Sequence, residues 1–117
     1  MMIETLGEKQ RRFARLVGLL IEWAYANGFE LTFGDAFRSV EQAKLNANAG
    51  TGIINSLHCE RLAVDFNLFK NGDYLTDSDA YAPLGAYWES LGADCAWGGR
   101  FTKPDGNHFS IKFGGRA

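Results

Sequence analysis

Proline, cysteine and histidine are scarce in this chain, with two of each among 117 residues. Two cysteines, Cys59 and Cys95, cannot make a disulfide framework, so a stapled secreted scaffold is excluded and a reduced, cytosolic protein is the simpler expectation. With so little proline, the bending of the chain falls to its 14 glycines. Long apolar runs are missing too. The best of them, residues 16–21, is closed by Glu22 and preceded by a charged segment. It falls well short of the ~20 residues that span a bilayer and does not read as a secretory leader. Neither sign of charge dominates, because 12 Lys and Arg stand against 14 Asp and Glu. That balance argues against holding nucleic acid by phosphate neutralisation. No nucleic-acid partner and no membrane insertion are therefore expected.

What is present is globular composition, 46% hydrophobic and 22% charged. A chain of this size reads as one domain, residues 1–117, burying roughly 65% of its unfolded surface, and a monomer is expected. Residues 4–27 read as an amphipathic helix, with Phe13, Leu16, Val17, Leu20 and Ala24 at helical spacing and Asn27-Gly28 as its stop. Phe29, Leu31 and Phe33 alternate with polar or small residues, as in a half-buried strand. Ser39 with Gln42 has the spacing of a capping box, opening a second helix to about residue 47. Residues 48–55, small and polar, read as a mobile surface loop. Leu62, Val64, Phe66 and Leu68 form another alternating strand, and Asn71-Gly72 turns it into a hairpin. Residues 79–91 read as a third helix with Pro83 early and Gly92 as its stop, and residues 108–113 as the last strand. The expected class is α+β, a small, mainly antiparallel sheet with helices packed against it.

The chemistry concentrates at the two histidines. His58 is followed seven residues later by Asp65, and His108 is preceded by Asp105 in a Pro-Asp-Gly turn. Asp65 points away from the apolar face of its strand, and so does His108, so neighbouring strands can bring both to one side with His58 arriving from the preceding loop. Two imidazoles and a carboxylate make a three-ligand zinc set with a fourth position open, and a single carboxylate leaves the ion net positive, able to acidify a bound water. Asp105 is then the nearest base. Each residue also has a structural reading: a satisfied histidine on a strand, an aspartate that only forms a turn.

The local wording adds a resemblance. The segment Ser56-Leu57-His58-Cys59-Glu60-Arg61-Leu62-Ala63-Val64-Asp65 resembles the Ser-x-His-x-x-Gly-x-Ala-x-Asp signature of the VanY-like zinc D-alanyl-D-alanine carboxypeptidase and L-alanyl-D-glutamate endopeptidase family. Asp105-Gly106-Asn107-His108-Phe109 resembles its second signature, Gly34-Asp35-Ala36-Phe37-Arg38-Ser39 followed by Glu41-Gln42 its upstream Arg-Ser segment, and Trp97-Gly98-Gly99 the stretch before its last ligand. The resemblance is nearest to the phage endolysin branch. It implies a hedgehog/DD-peptidase-like fold, zinc held by His58, Asp65 and His108, Asp105 as general base, and Arg38 stabilising an oxyanion. Arg38 has a bland alternative as a partner of Asp35 or Glu41. Ser56, Gln42 and Trp97 are implied around the substrate, where Ser56 either binds a carboxylate or orders the loop, Gln42 supports Arg38 or caps its helix, and Trp97 lines the cleft or packs in the core. Cys59, beside a ligand, points to the other side of an extended chain, and Cys95 reads as core.

The expected function is zinc-dependent hydrolysis of peptidoglycan stem peptides as an L-alanyl-D-glutamate endopeptidase in host lysis. The enzyme would be cytoplasmic when made and would reach the wall by a separate release partner. The rivals are a D-alanyl-D-alanine carboxypeptidase and a non-catalytic, zinc-stabilised wall-binding protein. Two departures stand out: Arg61 replaces the signature glycine, and Ser110 stands where the family often has Glu after His-Phe.

Overall fold

A computed structural model of the chain describes residues 3–49 and 56–117. The first helix, α1 (Leu6–Ala26), starts at Thr5, whose side chain accepts from Glu8 N while the Glu8 side chain accepts from Thr5 N. That reciprocal cap sets the helix start two residues later than periodicity alone suggests. The helix ends at Asn27, and Gly28 takes φ +84°, as its stop signal implies. Strand β1 (Phe29–Phe33) and helix α2 (Val40–Asn48) follow. Ser39 caps α2 through Gln42 N, but the Gln42 side chain donates to Asn46 Oδ1, so only half of the expected capping box forms. The loop read over residues 48–55 lies outside the described residues from 50 onward, while Asn48 and Ala49 close α2.

After a 3₁₀ turn (Leu57–Glu60), β2 (Ala63–Lys70) and β3 (Asp73–Leu75) form the hairpin, with Asn71 at φ 53° and Gly72 at φ 82°. Two successive left-handed residues make the tight turn whose twist matches the strands. The third helix does not run unbroken. Ser78–Tyr81 is a 3₁₀ turn and α3 spans Ala82–Ser90, because Pro83 fits only the first turn of an α-helix. The short strand β4 (Cys95–Trp97) carries no alternation to read, since all three of its residues are buried. Strand β5 (His108–Ile111) stops before Phe113, which instead pairs with Arg116 across the turn at Gly114 and Gly115.

The antiparallel sheet runs β1-β2-β5-β4, and β3 pairs with the far end of β2. Strands β5 and β3 thus share one edge of β2, against residues 63–65 and 68–70. Helices α1 and α3 cover one face, where Phe13, Leu16, Leu20, Leu84 and Trp88 pack on Val64, Phe66, Leu68, Phe109 and Ile111. Cys95 belongs to this core, and burial pushes its thiol up to about 11. Trp23, read as core, is only partly buried and stacks on Tyr87 at 4.9 Å. Phe33 departs from its expected half-buried face at 66% exposure. Strand and α1 diverge there around an open apolar groove of about 460 Å³ walled by Phe13, Val17, Phe33 and Phe37.

An ion cluster fastens α1 to the loop before β4. Arg12 pairs with Glu4 at 2.7 Å and with Asp94 at 2.6 Å, and Lys9 reaches Asp94 at 3.1 Å. Burial opposes ionisation of Asp94, but the hydrogen bonds from Arg12 and Lys9 outweigh it and hold its pKa below 3.8. A depressed carboxylate stabilises the fold above its unfolded pKa, and that contribution is lost as pH falls through the folded value. In chelator, Asp94→Asn is therefore expected to destabilise by about 1 kcal/mol at pH 7, with the difference from wild type shrinking steadily below pH 4 in thermal melts.

Candidate metal centre

The β2–β5 register brings two candidate ligands face to face. Asp65 and His108 are direct partners. The flanking bonds Phe66 N to Asn107 O (2.9 Å) and Ile111 N to Leu62 O (3.0 Å) make residues 62 and 66 hydrogen-bonded positions. By alternation Asp65–His108 is then a non-hydrogen-bonded pair, the kind whose side chains stand closest. The backbone of Asp65 is engaged on its other side, where Gly34 N donates to Asp65 O and Asp65 N donates to Asp35 O, both at 2.8 Å. Two residues thus oppose one, a β-bulge that turns the chain after β1 over the site. A Cβ at Gly34 would stand 3.1 Å from both the Cβ and the carbonyl oxygen of Asp65, so a glycine fits this approach.

His58 arrives from the 3₁₀ turn before β2, which Ser56 caps by accepting from His58 N at 3.1 Å. The turn ends on Arg61 at φ 56°, the left-handed position where the signature carries glycine. Arg61 bears that conformation while its guanidinium lies over the Phe37 ring at 4.1 Å. Above the turn, Arg38 N donates to His58 O and Ala36 O faces His58 Nδ1 at 3.4 Å. A proton on Nδ1 directed at that carbonyl leaves the Nε2 lone pair pointing at Asp65.

His58 Nε2 and His108 Nδ1 each lie 3.4 Å from the same oxygen, Asp65 Oδ1. Among the described residues these three form a group whose ligand atoms all lie within 4.8 Å of one another. Charge-assisted hydrogen bonds would be shorter, about 2.7–2.9 Å, and Asp65 Oδ1 is buried without a hydrogen-bond partner. A tetrahedron with metal–ligand bonds of about 2.0–2.1 Å has edges of roughly 3.4 Å. The two 3.4 Å separations from Asp65 Oδ1 and the orphaned oxygen therefore fit a shared zinc ion better than they fit a salt bridge. Burial alone would raise the pKa of Asp65, but the two imidazoles overcome it and bring the value to about 2. The carboxylate is thus ionised, as a ligand must be.

Asp105 sits in the turn before β5, held by its backbone: Asp105 N donates to Gly98 O at 2.9 Å and His108 N to Asp105 O at 3.0 Å. Partial burial raises its pKa, and its carboxylate is close enough to feel the charges of His108, Asp65 and His58. Trp97 is buried, and its indole Nε1 donates to Gly106 O at 2.7 Å. Gly85 and Gly99 lie flat against its ring, and side chains there would overlap it. A Cβ at Gly98 would run into Asp105 O. The Trp-Gly-Gly stretch therefore works as a close-packed brace for the Asp105 turn.

Arg38 pairs with Asp35 Oδ2 at 2.8 Å while its Nε is buried without a partner. Gln42, exposed and bonded to Asn46, makes no bond to Arg38. The Cys59 thiol turns toward Ser39 O at 3.9 Å, away from the ligand group. The segment 34–39 stands out in the sequence for its Arg-Ser pair and not for the backbone parts that Gly34 and Ala36 play, and nothing there marks the turn residue Ser78, which accepts from Gly106 N at 3.0 Å. Their contributions come through the backbone or a distant loop, which motif spacing does not encode.

A sequence model of a family described as D-alanyl-D-alanine carboxypeptidase matches residues 49–111, just over half of the chain. No curated protein matches it significantly. Among solved structures, the chain is similar to the L-Ala D-Glu endopeptidase ChiX of Serratia marcescens, with a TM-score of 0.74 and 22% identity over 92% of this chain and 86% of that one. It is also similar to a mutant of the vancomycin resistance D,D-pentapeptidase VanY from a VanB-type cassette, in complex with Zn(II). That match has a TM-score of 0.59 and 18% identity over 86% of this chain and 70% of the other. Both similarities establish a shared α+β fold.

Proposed function

Because the chain belongs to the D-alanyl-D-alanine carboxypeptidase family, we propose that it is a zinc peptidase cutting the stem peptides of bacterial peptidoglycan, with the L-alanyl-D-glutamate bond as its target. The observation that carries this reading is the convergence of His58 Nε2 and His108 Nδ1 on Asp65 Oδ1 at 3.4 Å. A zinc ion held by these three would supply Lewis acidity, polarising the scissile carbonyl and making a water nucleophilic near neutral pH. The Asp105 carboxylate takes the proton of the attacking water and returns it to the nitrogen of the departing amine. Arg38 leaves its Asp35 partner, or shares it, to donate to the oxygen on which charge develops. Ser56 and Trp97 act as positioning residues, the first through the His58 turn and the second through the Asp105 turn.

The endopeptidase cut is favoured by the fuller mutual coverage with ChiX. A terminal D-alanyl-D-alanine cut is the second reading, favoured by the description of the matching family. The motif resemblance supports reading the enzyme as a phage lysis protein, which would need a release partner to reach the wall. Digestion of purified peptidoglycan followed by mass spectrometry separates the two cuts. New L-alanine C-termini with matching D-glutamate N-termini are expected, and free D-alanine alone would overturn the preferred bond. Elemental analysis should find one zinc per chain.

A further inference from the structure

Among the described residues, two that are not glycine sit in the left-handed region. Asn71 does so in the hairpin turn, where an asparagine is at ease. Arg61, at φ 56° and ψ 36° on the turn that carries His58, has no such local reason. Its Cβ makes the conformation strained. The Arg61 guanidinium forms no ion pair among the described residues and lies over the Phe37 ring at 4.1 Å. Phe37 is half exposed, so the attraction of the cation is modest, of the same size as the strain and opposite in sign. Arg61 therefore adds little to the stability of the fold, and its effect is local. We propose that Arg61, on the peptidase reading above, is a positioning residue of the active site: clamped on Phe37, it holds residues 36–38 against the His58 turn and thereby sets the place of Arg38.

The need for a clamp follows from the other ties of this segment. Its ends are firm. Gly34 N donates to Asp65 O and Asp65 N to Asp35 O, both at 2.8 Å, and the Ser39 hydroxyl accepts from Gln42 N at 3.0 Å. The middle is held loosely. Arg38 N donates to His58 O at 3.3 Å, and Ala36 O faces His58 Nδ1 at 3.4 Å. Both separations exceed the usual value of about 2.9–3.0 Å. His58 O is also shared, because Arg61 N donates to it at 3.3 Å. Phe37 stands between Ala36 and Arg38 in the chain, so a ring fixed by Arg61 steadies the backbone on both sides. The Arg38 side chain bonds Asp35 through Nη2 and leaves its buried Nε without a partner. A donor that must meet a developing oxyanion works only if it is held in place beforehand, and here that placement passes through the backbone of residues 36–38.

The test separates the clamp from fold stability with two substitutions. Arg61→Gly removes the guanidinium and relieves the left-handed strain, whereas Arg61→Ala removes the guanidinium and keeps the strain, so the alanine variant should melt below the glycine variant. Both keep the backbone N–H that His58 O accepts. In both, amide hydrogen exchange of the purified protein, read by NMR, should speed up about 2- to 5-fold at Arg38 and stay unchanged at Phe66 and Ile111 in the sheet. Both should lower kcat on peptidoglycan peptides about 2- to 5-fold with KM unchanged. Phe37→Leu should do the same, and adding it to Arg61→Gly should cost nothing more, since the two residues form one contact. Unaltered exchange at Arg38, or a kcat that follows the melting temperature so that the glycine variant keeps full activity, would overturn the clamp. If the unmodified protein cuts no peptide, the peptidase reading fails instead and exchange at Arg38 decides alone: faster exchange in both Arg61 variants upholds the clamp, and equal exchange refutes it.

Discussion

Asp105→Asn is expected to keep one zinc ion per chain while losing about 10²- to 10⁴-fold in kcat against peptidoglycan. The turn that carries Asp105 is fastened by its backbone, through Gly98 O and His108 N, and by the Trp97 bond to Gly106 O. The substitution therefore removes a proton carrier and leaves its support standing. A second readout follows from linkage. Burial, and then the negative Asp65, push the Asp105 pKa up, against the pull of His108 and His58. A carboxyl whose folded pKa is raised favours the fold fully only below its unfolded value, and that contribution is lost as pH rises through the folded pKa. At pH 7 the ionised Asp105 is therefore a burden on the metal-free protein. In chelator, Asp105→Asn should melt slightly above wild type at pH 7, with the gain vanishing below pH 4. A variant that loses activity and also melts lower at neutral pH would mark Asp105 as a structural residue.

Asp65→Asn should have the larger effect on the metal. The substitution keeps the shape of the side chain and removes the charge that both imidazoles face at 3.4 Å. Structural four-ligand zinc sites bind with about 10–16 kcal/mol, roughly 2.5–4 per ligand, so losing one ligand should weaken zinc about 10²- to 10³-fold. Competition titration with a fluorescent chelator measures this directly. Zinc raises the melting temperature by mass action only in a protein that holds it. Excess zinc at a fixed concentration should therefore lift wild type and lift Asp65→Asn much less, and without metal Asp65→Asn should melt below wild type at pH 7, because a folded pKa of about 2 makes the ionised Asp65 stabilising above its unfolded value. Equal zinc affinity in the two proteins would remove Asp65 from the ligand set, and with it the three-donor site.

Much of the fold was legible because periodicity reports burial. The stripe Phe13, Leu16, Leu20 and Ala24 reached the core, as did Val64, Phe66 and Leu68. The misreadings have physical causes. Phe33 alternates like a core residue, yet it sits where α1 has already diverged from the strand. The third helix looked continuous because composition does not separate a 3₁₀ turn from an α-helix, whereas the position of Pro83 does. Strand β4 is only three residues long and buried throughout. Its place beside β5 is a tertiary fact.

The candidate site divides along the same line. From the order of residues alone came the ligand types, the side of the strand on which Asp65 and His108 stand, and the base three residues before the last histidine. These depend on alternation and short spacing, which are properties of the local chain. Distance in space belongs to the assembled sheet. Only the pairing of β2 with β5 sets Asp65 opposite His108, and only the bulge at Gly34 and Asp35 lays Ala36 over His58. Such contacts join residues tens of positions apart, held by hydrogen bonds of the backbone, which every sequence possesses alike.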